Sequence, residues 1–70
     1  MKPGAAENER TAFVTPILEA KGWSLLDWAV HAGVDWHTTS GYANGKTMPY
    51  RSTRLKLATS LGISVHDLPQ

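Results

Sequence analysis

The stretch that decides the fold runs from Ser24 to Tyr42 and reads SLLDWAVHAGVDWHTTSGY. Ser24 suits a helix N-cap. Asp27, three residues on, sets a carboxylate near the exposed first-turn amides, a capping-box pattern with Asp in place of Glu. Leu25, Trp28, Ala29 and Ala32 then recur at i, i+3, i+4 and i+7, one apolar face of a helix that Gly33 ends. Only Val34 separates that glycine from Asp35, another good N-cap, so a further helix begins almost at once and runs to about Ala43. Its apolar pattern is thin. Val34, Thr39 and Tyr42 point inward, leaving Trp36, His37, Ser40 and Gly41 on the outer face. A glycine at 41 costs a helix interior roughly 1 kcal/mol relative to alanine, so propensity alone does not account for this helix. An outer face of an aromatic, an imidazole and small polar groups suits contact.

Upstream, Ala12, Phe13, Ile17 and Ala20 recur at helical spacing, and Gly22 ends that helix. Pro16 interrupts the pattern: either a helix opens there with Thr15 as cap, or a longer helix kinks. Residues 1–10 are polar, with Pro3 and Gly4, and read as a flexible segment ahead of a domain spanning 11–70. Downstream, Asn44-Gly45-Lys46-Thr47-Met48-Pro49 is a loop by its turn residues. A fourth helix from about Arg51 to Leu61 carries Leu55, Ala58 and Leu61 as its stripe, and Gly62 caps it. Ser64 opens a final turn from which Val65 and Leu68 fold back. Trp23 and Trp28 are assigned to the core; Leu26 falls off the buried stripe and is exposed, and Arg54 and Lys56 are solvated. Alternating β-branched runs are missing. The expectation is an all-α bundle of four to five short helices.

Seventy residues make one domain, which buries only about 60% of its unfolded surface. No cysteine is present, so disulfides and cysteine metal sites are excluded, which fits a reducing compartment. No run approaches the ~20 apolar residues of a membrane span, and the polar start MKPGAAENER does not read as a signal peptide. A cytoplasmic protein with no membrane partner is expected. Up to Gly45 the chain carries Lys2, Arg10 and Lys21 against Glu7, Glu9, Glu19, Asp27 and Asp35, a balance of −2. From Lys46 onward, Lys46, Arg51, Arg54 and Lys56 face only Asp67, a balance of +3. A basic patch that begins at one loop suits phosphate; its bland counterpart is a solvated helix face. His31, His37 and His66 have no metal-ligand spacing, and no carboxylate pair or nucleophile–base set stands out. Gly41 and Gly45 follow no strand, so they form no nucleotide loop. No enzyme, metal, cofactor or small-molecule substrate is expected.

The longer string is more specific than the turn. Gly22-Trp23-Ser24, Trp28-Ala29, Ala32-Gly33-Val34, Thr38, Ser40, Tyr42, Asn44-Gly45-Lys46, Pro49 and Leu61-Gly62-Ile63 together resemble the phage-repressor (Cro-like, XRE-type) helix-turn-helix family over about Ala12 to Leu68. That resemblance implies a lambda-repressor-like domain that binds double-stranded DNA, with the third helix reading bases. By it, Trp36, His37, Ser40 and Gly41 hold base-facing positions. Thr38, Asn44, Lys46 and Thr47 hold backbone-contacting positions, and Tyr50 and Arg51 approach phosphate. The chain departs from the family pattern at Leu25, where many members carry a phosphate-contacting glutamine, and at Thr39, Gly41 and Ala43. Direct readout usually uses Arg, Lys, Asn or Gln, and none lies between Asp35 and Ala43. Trp36 has two readings, packing on a thymine methyl or sugar, or lying over Ala32 at the core edge. His37 likewise reads as a donor to a base or as a solvated histidine. With few cations, a single domain would need a second copy on a neighbouring half-site, a homodimer on DNA, for tight binding. The other class of function is a helical partner-binding module, antitoxin-like or an assembly partner.

Overall fold

The computed structural model describes residues 9–69. Four helices, α1 (Glu9–Lys21), α2 (Leu25–Ala32), α3 (Trp36–Ala43) and α4 (Arg51–Leu61), are followed by a 3-10 turn at Val65–Asp67. There is no strand among the described residues, so the all-α expectation holds. None of these helices is long and apolar enough to cross a membrane.

Local signals set the helix boundaries. The Ser24 hydroxyl accepts from the Asp27 amide at 3.1 Å while the Asp27 carboxylate accepts from the Ser24 amide at 2.9 Å, a closed capping box. Asp35 caps α3 by accepting from the Thr38 amide at 3.0 Å. At the other end of α2, the Gly33 amide donates to the Val30 carbonyl and the Val34 amide reaches back to the Ala29 carbonyl. That pair of bonds needs the intervening residue at positive φ, and Gly33 sits at +71°. The same pair recurs at Gly22–Trp23, Gly45–Lys46 and Gly62–Ile63. In three of the four cases the residue after the glycine (Trp23, Val34, Ile63) is apolar and folds back onto the core. At the end of α3 it is Lys46, and it is exposed.

The core is built around Trp28, Tyr42 and Leu57, all fully buried. Each polar atom there is satisfied. The Trp28 indole N–H donates to the Leu57 carbonyl at 3.2 Å and to Ser60 Oγ at 2.9 Å. Trp28 meets the Tyr42 ring edge-on, centroids 6.4 Å apart. The Tyr42 hydroxyl donates to the Pro69 carbonyl, tying the end of the described chain to α3.

Several expectations need correction. Of the two alternatives left open at Pro16, the longer helix is the one found: it runs through Pro16 from Glu9. Pro16 and Ala12 are both exposed, so the hydrogen bond that proline cannot donate is lost on the wet side. Of the residues 1–10 expected to be flexible, Glu9 and Arg10 are helical, and residues 1–8 lie outside the described residues. The buried face of α1 is Val14 and Leu18, flanked by Phe13 and Ile17, while Ala12 and Ala20 are exposed. In α4 the stripe is Leu57, Ala58 and Leu61; Leu55 is 50% exposed. Residues 55 and 57 lie some 200° apart on a helix, so both cannot point inward. Trp23 is only half-buried: it packs against the edge of the core and stacks on His31, with centroids 4.1 Å apart. Arg54 is not simply solvated, because its Nε donates to the Pro49 carbonyl at 3.2 Å. Leu26 is exposed as expected.

Two outcomes follow for stability. Leu57→Ala should cost about 2–5 kcal/mol in urea unfolding, and Leu55→Ala less than about 0.5; equal costs would mean the phase of α4 is wrong. Capping bonds from Ser24 hold the Asp27 carboxyl below its ordinary value, helped by His31, and Thr38 does the same for Asp35. Depressed folded-state values contribute stability above the unfolded value and lose it as pH falls through the folded one. Thermal melts should therefore weaken from about pH 4 downward, with a shallower acid limb in Asp27→Asn/Asp35→Asn.

Candidate functional site

The outer side of α3, the loop of residues 44–50 and the start of α4 enclose one open groove of about 540 Å³. His37 and Thr38 line it from α3, Thr47, Pro49 and Tyr50 from the loop, and Thr53 from α4. Backbone bonds give the loop its shape. The Gly41 carbonyl accepts from both the Lys46 and the Thr47 amides, at 2.9 and 3.2 Å. Two arginines then brace it from behind. Arg10 of α1 donates to the Tyr42 carbonyl at 3.1 Å and the Thr47 carbonyl at 2.7 Å, with its guanidinium 4.7 Å from the Tyr42 ring centre. Arg54 holds the Pro49 carbonyl. Thr11 adds a bond to the Ala43 carbonyl at 2.7 Å, so α1 satisfies one carbonyl at the end of α3 and adds a second bond to the Tyr42 carbonyl, which already accepts from the Gly45 amide.

The helix termini around the groove differ in a useful way. Side chains cap α2 and α3, but none caps α4, whose first residues follow Tyr50 directly. Neither α3 nor α4 carries a carboxylate in its first turn. The positive end of the α4 dipole and its first amides thus have neither a side-chain cap nor a first-turn carboxylate. Lys46 and Arg51 flank the groove in sequence, and both are exposed. Burial of Tyr42 pushes its phenol above the ordinary value, against the opposing charges of Arg10 and Arg54.

The ten residues singled out from sequence fall into two groups. Trp36, His37, Asn44, Lys46, Thr47, Tyr50 and Arg51 are exposed, Tyr50 the most at 86%. Trp36 borders Leu26 and does not pack on the core. The other three are half-buried and already engaged. Thr38 gives its amide and its hydroxyl proton to Asp35, at 3.0 and 2.7 Å, so the donor expected for a phosphate is committed. Ser40 accepts from Asn44 Nδ2 at 3.2 Å. Gly41 does not face outward: a Cβ there would lie 2.6 Å from Thr47 Oγ1, so the loop covers it. That close approach, not a ligand, explains a glycine in mid-helix. Arg10, Thr11, Pro49 and Thr53 were not singled out as site residues from the sequence. Arg10 and Thr11 meet partners more than thirty residues away, and no periodicity or spacing signals that.

The chain matches no family model, and no curated protein or solved structure is significantly similar to it.

The Gly41–Thr47 contact can be tested by a double-mutant cycle. In a Thr47→Ala background, Gly41→Ala should stabilise by up to about 1 kcal/mol through helix propensity. In the parent the gain should be lost to the clash, giving a coupling of at least about 0.5 kcal/mol. Additive effects would show that the loop does not rest on residue 41.

Proposed function

We propose that this chain is a double-stranded-DNA-binding domain of a transcriptional regulator, with α2 and α3 as a helix-turn-helix of phage-repressor type. The observation that carries the reading is the groove in which the outer side of α3, the braced loop and the uncapped start of α4 converge. An α-helix with its side chains is about 10–12 Å across, which suits a major groove of similar width. Phosphates beside that groove would meet Lys46, Arg51, the Thr47 and Tyr50 hydroxyls and the first amides of α4. Asn44 lies next to these and supports Ser40. Trp36, His37 and Ser40 are then the side chains offered to base edges. A regulator of this kind acts in the cytoplasm and binds tightly as a homodimer on paired half-sites.

One observation favours a second reading, a helical partner-binding module: Leu26, Val30 and Trp36 leave apolar surface exposed on α2 and α3.

A titration with mixed-sequence duplex at several salt concentrations separates the two. DNA binding should be weak for the monomer, with a log–log salt slope of roughly −2 to −3. Lys46→Ala should weaken binding to every duplex alike and flatten that slope by about one. His37→Ala should weaken a preferred site by about 1–3 kcal/mol more than random duplex. Both variants should melt near the parent, since both side chains are exposed. Unchanged binding to all duplexes in both variants would sink the DNA reading in favour of the partner module.

A further inference from the structure

The outer surface of α3 is unusually short of free polar groups. Thr38 is spent on Asp35, Ser40 accepts from Asn44, and Gly41 lies under Thr47. What remains exposed there is His37 and one apolar ring, Trp36. Trp36, the first residue of α3, is 43% exposed, and Leu26, in the first turn of α2, is 56% exposed. These two side chains border one open notch of about 230 Å³, and no other described residue lines it. Two consecutive helices therefore place an apolar notch at the leading edge of the element proposed to enter DNA. We infer that this notch receives the C5 methyl group of a pyrimidine.

The inference rests on the DNA-binding reading and deepens it. Each base pair shows the major groove a set of nitrogen and oxygen donors and acceptors, and the one apolar group among them is the methyl on C5 of thymine. A 5-methylcytosine carries the same group at the same ring position. An indole face and an isobutyl group offer neither, so polar edges pressed into the notch would lose water without gaining a partner. A methyl group loses nothing there and gains burial. Recognition of this kind also accounts for a reading face without Arg, Lys, Asn or Gln.

The test uses the full chain and a duplex site enriched from random sequences by repeated binding. Thymines in that site are replaced one at a time by deoxyuridine, which removes only the methyl. In parallel, cytosines are replaced one at a time by 5-methylcytosine. Loss of a buried methyl should weaken binding about fourfold at one or two positions. In Leu26→Ser, whose exposed side chain leaves the fold intact, the same replacement should change binding less than twofold. Sensitivity to uracil alone identifies thymine as the source, sensitivity to cytosine methylation alone identifies 5-methylcytosine, and sensitivity to both shows that the methyl itself is read. If every duplex is bound but neither replacement matters, the inference falls and the DNA reading stands. If methyl sensitivity persists undiminished in Leu26→Ser, the notch is not its receptor and the inference also falls. If no duplex binds at all, both fall together.

Discussion

A phenol withdrawn completely from water must still place its hydroxyl proton, and the way Tyr42 does so organises the molecule. Its hydroxyl holds Pro69, its ring carries the edge contact with Trp28 and lies under the Arg10 guanidinium, and its carbonyl receives Arg10. One side chain of α3 thus touches α1, α2 and the end of the described chain. Since α3 is short and has little apolar surface of its own, it owes its position to this residue more than to its helix propensity. Thr39, equally buried, adds only a local bond to the Asp35 carbonyl.

The cations divide their labour in the same economical way. Arg10 and Arg54 turn inward to loop carbonyls, where they serve as struts, while Lys46 and Arg51 remain free beside the groove. A count of formal charge treats all four alike. The structure separates two that shape the loop from two that can meet an anion. The struts still contribute positive potential behind the loop, because a hydrogen bond to a neutral carbonyl leaves a guanidinium charged.

Legibility in the sequence follows the range of the interaction involved. Ser24, Asp27, Asp35, Gly33 and Gly62 act within a turn of their own position, and caps and stops were readable from spacing alone. The phases of α1 and α4 were not. An apolar arc of Phe13, Val14, Ile17 and Leu18 fits more than one inward direction, and the choice between Leu55 and Leu57 is made by Trp28, far away in the chain. Trp23 looked like core by residue type, yet a ring at a helix junction can stack on His31 and stay half wet. At the candidate site, exposure of Trp36, His37 and Lys46 was legible, because a thin apolar pattern fixes which side of α3 faces out. The cover over Gly41 and the bracing by Arg10 were not, since both depend on where the loop and α1 come to rest.

The three tryptophans stand in three different settings. Trp28 is fully buried with its indole nitrogen bonded, Trp23 is stacked face to face on an imidazole with the Lys21 ammonium 5.2 Å from its ring centre, and Trp36 is open to water. Fluorescence from this chain is therefore a composite of a blue emitter, a perturbed one and a red one, belonging respectively to the core, the α1–α2 corner and the outer face of α3. Replacing any two by phenylalanine would isolate the third as an optical reporter of its own region, so that collapse of the core and occupation of the surface can be followed separately in one small domain.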